Sequence, residues 1–429
     1  MSSAVQVWLT GSDAPASYKS SSTSFMSEKG MHVKLQDDEM ILHRALRQAG
    51  RKLDQLGVTE IEPAGEGWTL DRQWALAQGY TDTLSTNKVV FSGKDKAQLE
   101  AMQDALVWTR ELINLPPQDI YPESLCNRVI EKLESVAKEN ISHNLVVGDD
   151  LLKEGWYGIH AVGRASMHKP AMLHLDYNPT GDDNAPVDFA LIGKGVTFDS
   201  GGYSIKSSEG MLAMKCDMGG AATVAGALLV AIQRGLNKRV RLLLCCSENM
   251  IDGTAYKLGD IITYKDGQTV EVVNTDAEGR LVMADGLIAA GEAKAKKIID
   301  AATLTGAAQV AVGTDYNALF SVDDTFAESA LRCAEGEHEY LWRLPLAQWH
   351  KNACASPFAD TANSKPVKGG GAGGASNAAG FLLRFAPNNG QGWLHFDLAG
   401  AYQKQADPMW AAGATGLGVR TIAKILLDQ

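Results

Sequence analysis

The chain reads as an α/β protein. It has a large C-terminal domain with a mostly parallel central sheet flanked by helices, and a smaller mixed α/β N-terminal domain. Three observations predict this. At about 150 residues per domain, 429 residues allow two or three domains. After Asn114, short β-rich apolar runs alternate with helical runs, the pattern of a sheet covered on both faces. Between the two regions, a helical run meets Pro116-Pro117, a pair that forbids continuation of the helix.

In chain order, Leu42, Leu46, Ala49, Leu53 and Leu56 recur at intervals of four and three, which predicts an amphipathic helix stopped by Gly57. A second helix is predicted over Asp71–Gln78 and a third over Gln98–Ile113. The predicted organisation is therefore an N-terminal domain over residues 1–95, a linker helix over 96–117 and the larger domain over 118–429. Within the larger domain, Phe189–Val196, Val240–Cys246, Lys297–Ala302 and Leu394–Leu398 read as strands, and Met218–Gln233 and Leu281–Glu292 as helices. Ile261–Val273, broken at Asp266-Gly267, reads as a hairpin on the sheet edge. Gly369–Gly374 reads as a mobile, functional loop, and there is no internal repeat.

Hydrophobic residues make up 45% and charged residues 21%, ordinary for a soluble globular chain able to bury a core. Lys and Arg number 40 against 51 Asp and Glu, a net charge of -11 that repels nucleic-acid phosphates unless a local basic patch exists. Met1–Lys19 lacks the basic start and apolar stretch of a signal peptide, and no run reaches the roughly 18 to 20 apolar residues of a membrane span. The longest, such as Ala225–Ile232, read as buried elements. Cys126, Cys216, Cys245, Cys246, Cys333 and Cys354 show no Cys-x-x-Cys spacing and read as free, mostly buried thiols of a reducing compartment. The expectation is a cytoplasmic protein without a membrane role. The nine histidines are scattered, so histidine is not the obvious holder of a metal.

Chemistry-bearing residues gather where strand runs end. Lys194 and Asp199 lie in Gly193–Gly202, Lys206 follows, and Lys215-Cys216-Asp217 precedes a helix. A third cluster is Asn274-Thr275-Asp276-Ala277-Glu278-Gly279-Arg280. Read as extended, it turns Asp276, Glu278 and Arg280 toward one cavity. Asp-x-Glu alone reads as a helix cap or solvated turn. The three clusters together place four carboxylates beyond strand ends, where repulsion calls for cations between them. Oxygen-rich sets suit Mn²⁺, Mg²⁺ or Zn²⁺, and paired ions are a recurrent hydrolytic device.

Asn274–Leu281 resembles the signature of the leucine aminopeptidase (cytosol aminopeptidase) family. Gly193–Gly202, with Lys206 and Asp217 at matching spacing, is similar to its other hallmark. The similarity continues through Asp300–Ala307 and Trp393–Gly400, and so spans nearly all of the chain after Asn114. The short N-terminal domain and Gly413–Thr421 look most like bacterial peptidase B.

The resemblance implies an aminopeptidase that removes the N-terminal residue of small peptides, using a hydroxide bridged by two metals. Asp199 and Glu278 match the bridging carboxylates, Lys194 and Asp217 the ligands of the tighter metal, and Asp276 a ligand of the more exchangeable one. Lys206 matches the group that polarises the scissile carbonyl, and Arg280 the residue holding a bicarbonate that acts as base. Met214, Asn274, Thr303, Leu304, Gly306, Ala399 and Tyr402 match the substrate pocket, Tyr402 replacing a methionine of well-known relatives. The implied cofactors are two divalent ions per subunit (Mn²⁺, with Zn²⁺ or Co²⁺ as alternatives) and bicarbonate. The implied partners are peptides with a free N-terminus and five further copies in a homohexamer.

Other readings carry less. Ser200 sits in an Asp-Ser-Gly-Gly like that of trypsin-like proteases, but that class needs antiparallel barrels and a His partner. Gly193-Lys194 lacks phosphate-loop spacing, and Gly416-Leu417-Gly418 lacks the third glycine of a dinucleotide fingerprint. His395 reads as a hydrogen-bonded core residue, Cys245-Cys246 as sheet packing, and Cys216 as a point of oxidation beside Asp217. A DNA-binding or inactive scaffold role is the alternative from another class.

Overall fold

The computed structural model describes residues 4–83, 87–367 and 370–429. Two compact units divide the chain: Met1–Val107 with Gln403–Thr415, and Trp108–Tyr402 with Gly416–Gln429.

In the first unit a five-stranded sheet runs in the order Ser24–Ser27, Gly30–Lys34, Val5–Thr10, Glu60–Ala64, Lys88–Val89. Its pairings are parallel except for the Ser24–Ser27 and Gly30–Lys34 hairpin. Helices Glu39–Gln55 and Leu70–Tyr80 lie where the first two helices are predicted. Asp38 caps the first by accepting from the Met40 and Ile41 amides, and the chain leaves it at Gly57 with φ +75°. Helix Lys96–Asn114 then covers the predicted third run, and the division between units falls inside it.

In the second unit eight strands run in the order Leu341–Arg343, Asn317–Phe320, Trp393–Asp397, Lys297–Ala302, Phe189–Asp199, Val240–Asn249, Ala171–Tyr177, Ile141–Val147. The four predicted strands form the parallel centre. Antiparallel pairings appear only toward the margins. Gly219–Gln233 packs with Val419–Asp428 and Pro122–Ala137, and Gly279–Glu292 packs with Tyr157–Gly163 and Gly374–Phe385. Adjacent residues of the central strand serve the two layers: a Cβ on Gly193 would strike Ala221 of one helix, while Ile192 reaches Gly286 of the other. Both helices are buried nearly all round, which is why their sequences are apolar rather than amphipathic.

Three expectations need correction. Met214–Gln233 is long and apolar enough, by length and composition, to pass for a membrane span, and 89% of it is buried within the fold. A helix sandwiched between sheet and neighbouring helices acquires that composition without a membrane. The 261–273 hairpin forms, with Gly267 at φ +89°, but not on the main sheet. Ile261–Thr263 and Thr269–Glu271 join Thr361–Ala362 in a separate three-stranded sheet. Only the middle residue of each hairpin strand is buried, a half-wet pattern unsuited to a sheet covered on both sides. In the glycine-rich stretch, Gly369 lies outside the described residues, and Gly374 already begins a helix.

Candidate metal centre

Lys194 and Asp199 lie five apart on one strand, an odd spacing that points side chains to opposite faces of a regular strand. The pairing of Phe189–Asp199 with Val240–Asn249 slips between Val196 and Phe198, so Thr197 is an inserted residue. This bulge restores the phase and brings both side chains to one side. Beyond Asp199 the chain reverses at Gly201 (φ +85°) and Gly202 (φ +60°), where a Cβ on Gly201 would lie 2.6 Å from the Ser204 carbonyl and 3.0 Å from Asp276 Oδ1. The Lys206 amide closes this loop onto the Ser200 carbonyl. Lys206 Nζ returns to within 2.5 Å of Asp199 Oδ2 and also pairs with Asp276 Oδ1.

Asp217 sits in the 3-10 turn Met214–Met218 that leads into helix Gly219–Gln233. That helix starts close enough to the sheet that a Cβ on Gly220 would stand 2.0 Å from the Ala301 carbonyl. Asp217 Oδ1 thereby accepts from Lys194 Nζ at 2.7 Å and from Thr303 Oγ1 at 2.9 Å. Lys194 Nζ also lies 2.8 Å from Glu278 Oε1, passing so near the start of the next helix that a Cβ on Gly279 would stand 2.5 Å from the Lys194 Cε.

The acidic heptapeptide is not extended as expected. Asn274 Oδ1 accepts from the Asp276 amide, the Ala277 amide reaches the Asn274 carbonyl, and Glu278 has helical angles at the N-cap of Gly279–Glu292. A turn therefore aims Asp276 and Glu278. Asn363 clasps it from outside: its Nδ2 donates to the carbonyls of Asn274 (2.6 Å) and Ala277 (3.2 Å), and its Oδ1 accepts from the Val273 and Asn274 amides. Carboxylate oxygens of Asp199, Asp276 and Glu278 lie within 4.8 Å of one another.

Four carboxylates here face two ammonium groups. Burial opposes charge on Lys194 and on Lys206, but the surrounding carboxylates overcome it and raise both above the ordinary lysine value. Asp199, desolvated and beside Glu278, is pushed up to about 6. Burial would raise Glu278 as well, yet Lys194 and Lys206 hold it down to about 2. Burial raises Asp217 well above the carboxylate range. Asp217 Oδ2 and Glu278 Oε2 are buried without a hydrogen-bond partner. Orphaned carboxylate oxygens are costly, and a divalent cation is the partner that such a donor set accommodates.

The remaining predicted residues spread around this cluster. Arg280 is buried: its Nη1 donates to the Asn363 carbonyl at 2.8 Å, its Nε has no partner, and burial lowers its pKa. Thr303 contributes its hydroxyl to Asp217 and its carbonyl to Lys194. Asp397 orders the next turn by accepting from the Leu304 and Thr305 amides and the Thr305 hydroxyl. Gly306 is open to solvent, and a Cβ placed there would meet nothing within 4 Å. Met214, Asn274 and Tyr402 are half-buried. Ala399 is buried in an apolar cluster with Ala308 and Ala379.

Ser200 is buried, its hydroxyl donating to the Asn249 carbonyl at 2.7 Å and accepting from the Gly202 amide, an anchored group rather than a free nucleophile. His395 is a core residue paired with Asp300 at 2.5 Å, as its place in a strand predicts. All six cysteines are buried free thiols, with Cys126 and Cys246 sulfurs 3.6 Å apart. Sequence reasoning passed over Asn249, Asn363 and the inserted Thr197. Lone amides and a bulge leave no spacing pattern to find.

A family model described as cytosol aminopeptidase family, catalytic domain, matches residues 107–423. The chain belongs to the cytosol aminopeptidase family. It is a metal-dependent aminopeptidase. A second family model, described as a peptidase, matches residues 6–95. Among solved structures, the bottromycin maturation enzyme BotP in complex with Mn is 30% identical, with a TM-score of 0.83 and 99% of each chain covered. The cytosol aminopeptidase from Coxiella burnetii is 29% identical, with a TM-score of 0.84, over 100% of this chain and 98% of that one. The leucyl aminopeptidase from Trypanosoma brucei in complex with actinonin is 28% identical, with a TM-score of 0.75, over 86% and 73%.

Proposed function

We propose that this enzyme releases the N-terminal residue of small peptides, with two divalent ions held by Lys194, Asp199, Asp217, Asp276 and Glu278. The observation that carries the reading is the excess of carboxylates over ammonium groups, with Asp217 Oδ2 and Glu278 Oε2 buried and unpartnered. Manganese is the proposed ion, supported by the Mn complex of BotP; Zn²⁺ and Co²⁺ suit the same donors. When bound, such ions supply Lewis acidity and lower the pKa of water.

The chain's own groups do the rest. Lys194 must shed its proton to serve as a ligand, leaving Lys206 as the cationic side chain beside the carboxylates. From the open side of Asp199, Lys206 stabilises negative charge growing on the scissile carbonyl oxygen, the kind of contact that contributes most when it strengthens in the transition state. The buried Arg280, with its unpartnered Nε, has the charge and the free donor to hold a bicarbonate as general base. Met214, Asn274, Thr303, Leu304, Gly306 and Tyr402 bound the substrate side chain, with Ala399 behind them. Tyr402 makes that pocket bulkier and gives it a hydroxyl to be satisfied.

We further propose residues 118–429 as the catalytic domain, with 1–95 and the linker helix 96–117 outside the chemistry. The same reading takes the enzyme to be a cytoplasmic homohexamer of the bacterial peptidase B branch, acting in peptide catabolism. An X-Gly dipeptide panel, run on metal-stripped enzyme refilled with single metals, tests the reading. The expected outcome is no turnover without metal and recovery with Mn²⁺. Full turnover by stripped protein would overturn it. Salt-sensitive DNA binding by the same preparation would support the alternative role.

A further inference from the structure

We infer that Asn249 is a positioning residue for the metal centre, one buried amide that ties the Asp199 loop to the Asp276 turn. The inference rests on the metal-centre reading above and goes beyond its ligands. Asn249 is fully buried at the end of its strand, directly opposite Asp199 in the register. Its Nδ2 donates to Asp199 Oδ1 at 2.8 Å and to the Thr275 carbonyl at 2.9 Å. Its own carbonyl accepts from the Ser200 amide and hydroxyl. One residue thus grips a ligand, the residue after that ligand, and the residue before another ligand.

Both side-chain neighbours are acceptors, so the position calls for two N–H donors on one uncharged group, and a primary amide is the side chain that supplies them. A hydroxyl has a single hydrogen, and a carboxylate would face two acceptors. Neighbouring contacts lock the arrangement. Thr275 Oγ1 donates to the Gly201 carbonyl and accepts from the Ser204 amide, both at 2.7 Å. A Cβ on Gly202 would come within 3.0 Å of both Asn249 Oδ1 and Thr275. With the Gly201 amide also on Asp199 Oδ1 at 2.9 Å, the carboxylate has its rotation set, and its Oδ2 is presented toward Lys206. Tyr256 gives a built-in control: its hydroxyl donates to the same Thr275 carbonyl at 2.7 Å, and among the described residues no hydrogen bond to Asp199 accompanies it.

The test uses the full-length, metal-stripped enzyme. Wild type, Asn249→Ala, Asn249→Ser and Tyr256→Phe are titrated with Mn²⁺, following the free and bound ion by electron paramagnetic resonance, and their thermal unfolding is recorded in chelator. Asn249→Ala is expected to bind Mn²⁺ about 10- to 100-fold more weakly, with an altered bound-ion spectrum, as outer groups that orient ligands do. Tyr256→Phe should stay within about threefold of wild type even where its unfolding temperature falls as far. Asn249→Ala binding within about threefold of wild type, with an unchanged spectrum, overturns the inference. If that variant does not fold, Asn249→Ser, which leaves room for a water, is held to the same criterion. A wild type that takes up no Mn²⁺ overturns the metal-centre reading itself, an outcome distinct from an unaffected Asn249 variant.

Discussion

At one end of the carboxylate cluster, the side chains of Lys194, Asp217 and Glu278 are 3%, 6% and 2% exposed. At the other, Lys206 and Asp276 are 16% and 35% exposed, although Asp199 between them is only 3% exposed. The charges are of the same kinds, but their surroundings differ. Inside, a low effective dielectric makes each unsatisfied oxygen expensive and each pairing strong. Outside, water screens the same pairs and competes for them. On the two-metal reading proposed above, the closed end holds its cation tightly, and the open end exchanges one and meets substrate.

Chelation is the largest perturbation and bears on this contrast directly. Dialysis against a chelator should abolish turnover, with the open-end ion leaving before the closed-end ion, so that metal content falls in two phases. Loss of both ions at one rate would remove the distinction. Next in size, Lys206→Ala should lower kcat by about 10²- to 10³-fold with little change in KM, the loss expected of a group acting on the transition state. A fall of less than about tenfold would place Lys206 outside the chemistry.

Comparing Asp276→Asn with Asp217→Asn sharpens the contrast. The open-end variant should need about 10- to 100-fold more Mn²⁺ for half activity and recover at saturation. The closed-end variant should not recover, because it removes an anionic donor from a dry site where water cannot take its place. Recovery of both to the same level would mean that burial does not separate the two ends. Asn363→Ala should destabilise the metal-free protein by about 1–3 kcal/mol in urea unfolding, through the amides and carbonyls left unpaired around the acidic turn. The smallest effect is expected for Ser200→Ala, about 1 kcal/mol of stability and kcat within about tenfold. Loss of activity beyond 10³-fold there would restore the serine nucleophile.

How much of this was legible can be judged residue by residue. The helix Glu39–Gln55 announces itself through apolar periodicity and a glycine stop, and Lys96–Asn114 through its proline stop. The four central strands do so through continuous apolar runs. Lys194, Asp199, Lys206, Asp217, Asp276 and Glu278 stand out as charges placed beside such runs, and the structure brings all six together. The hairpin's attachment was not legible, because Ile261–Thr263 pairs the same way in either sheet and only packing assigns it. Nor was the aim of the acidic turn: an extended reading and a turn both bring Asp276 and Glu278 inward, and the choice rests on the side chains of Asn274 and Asn363.

From its order of residues alone, this chain settles which of its longest apolar segments are helix or strand, and which charges have no place in a core unless they serve a site. Those are matters of local spacing, and hydrophobic periodicity and turn chemistry act over a few residues. Folding decided the rest: the extra residue at Thr197 that turns Lys194 and Asp199 to the same side, the dry and wet ends of the cluster, and the amides of Asn249 and Asn363 that hold its loops. Asn249 lies 50 positions from Asp199 and Asn363 lies 89 from Asn274. No spacing rule spans such separations, because the free energy of those contacts exists only once sheet and helices have packed around them.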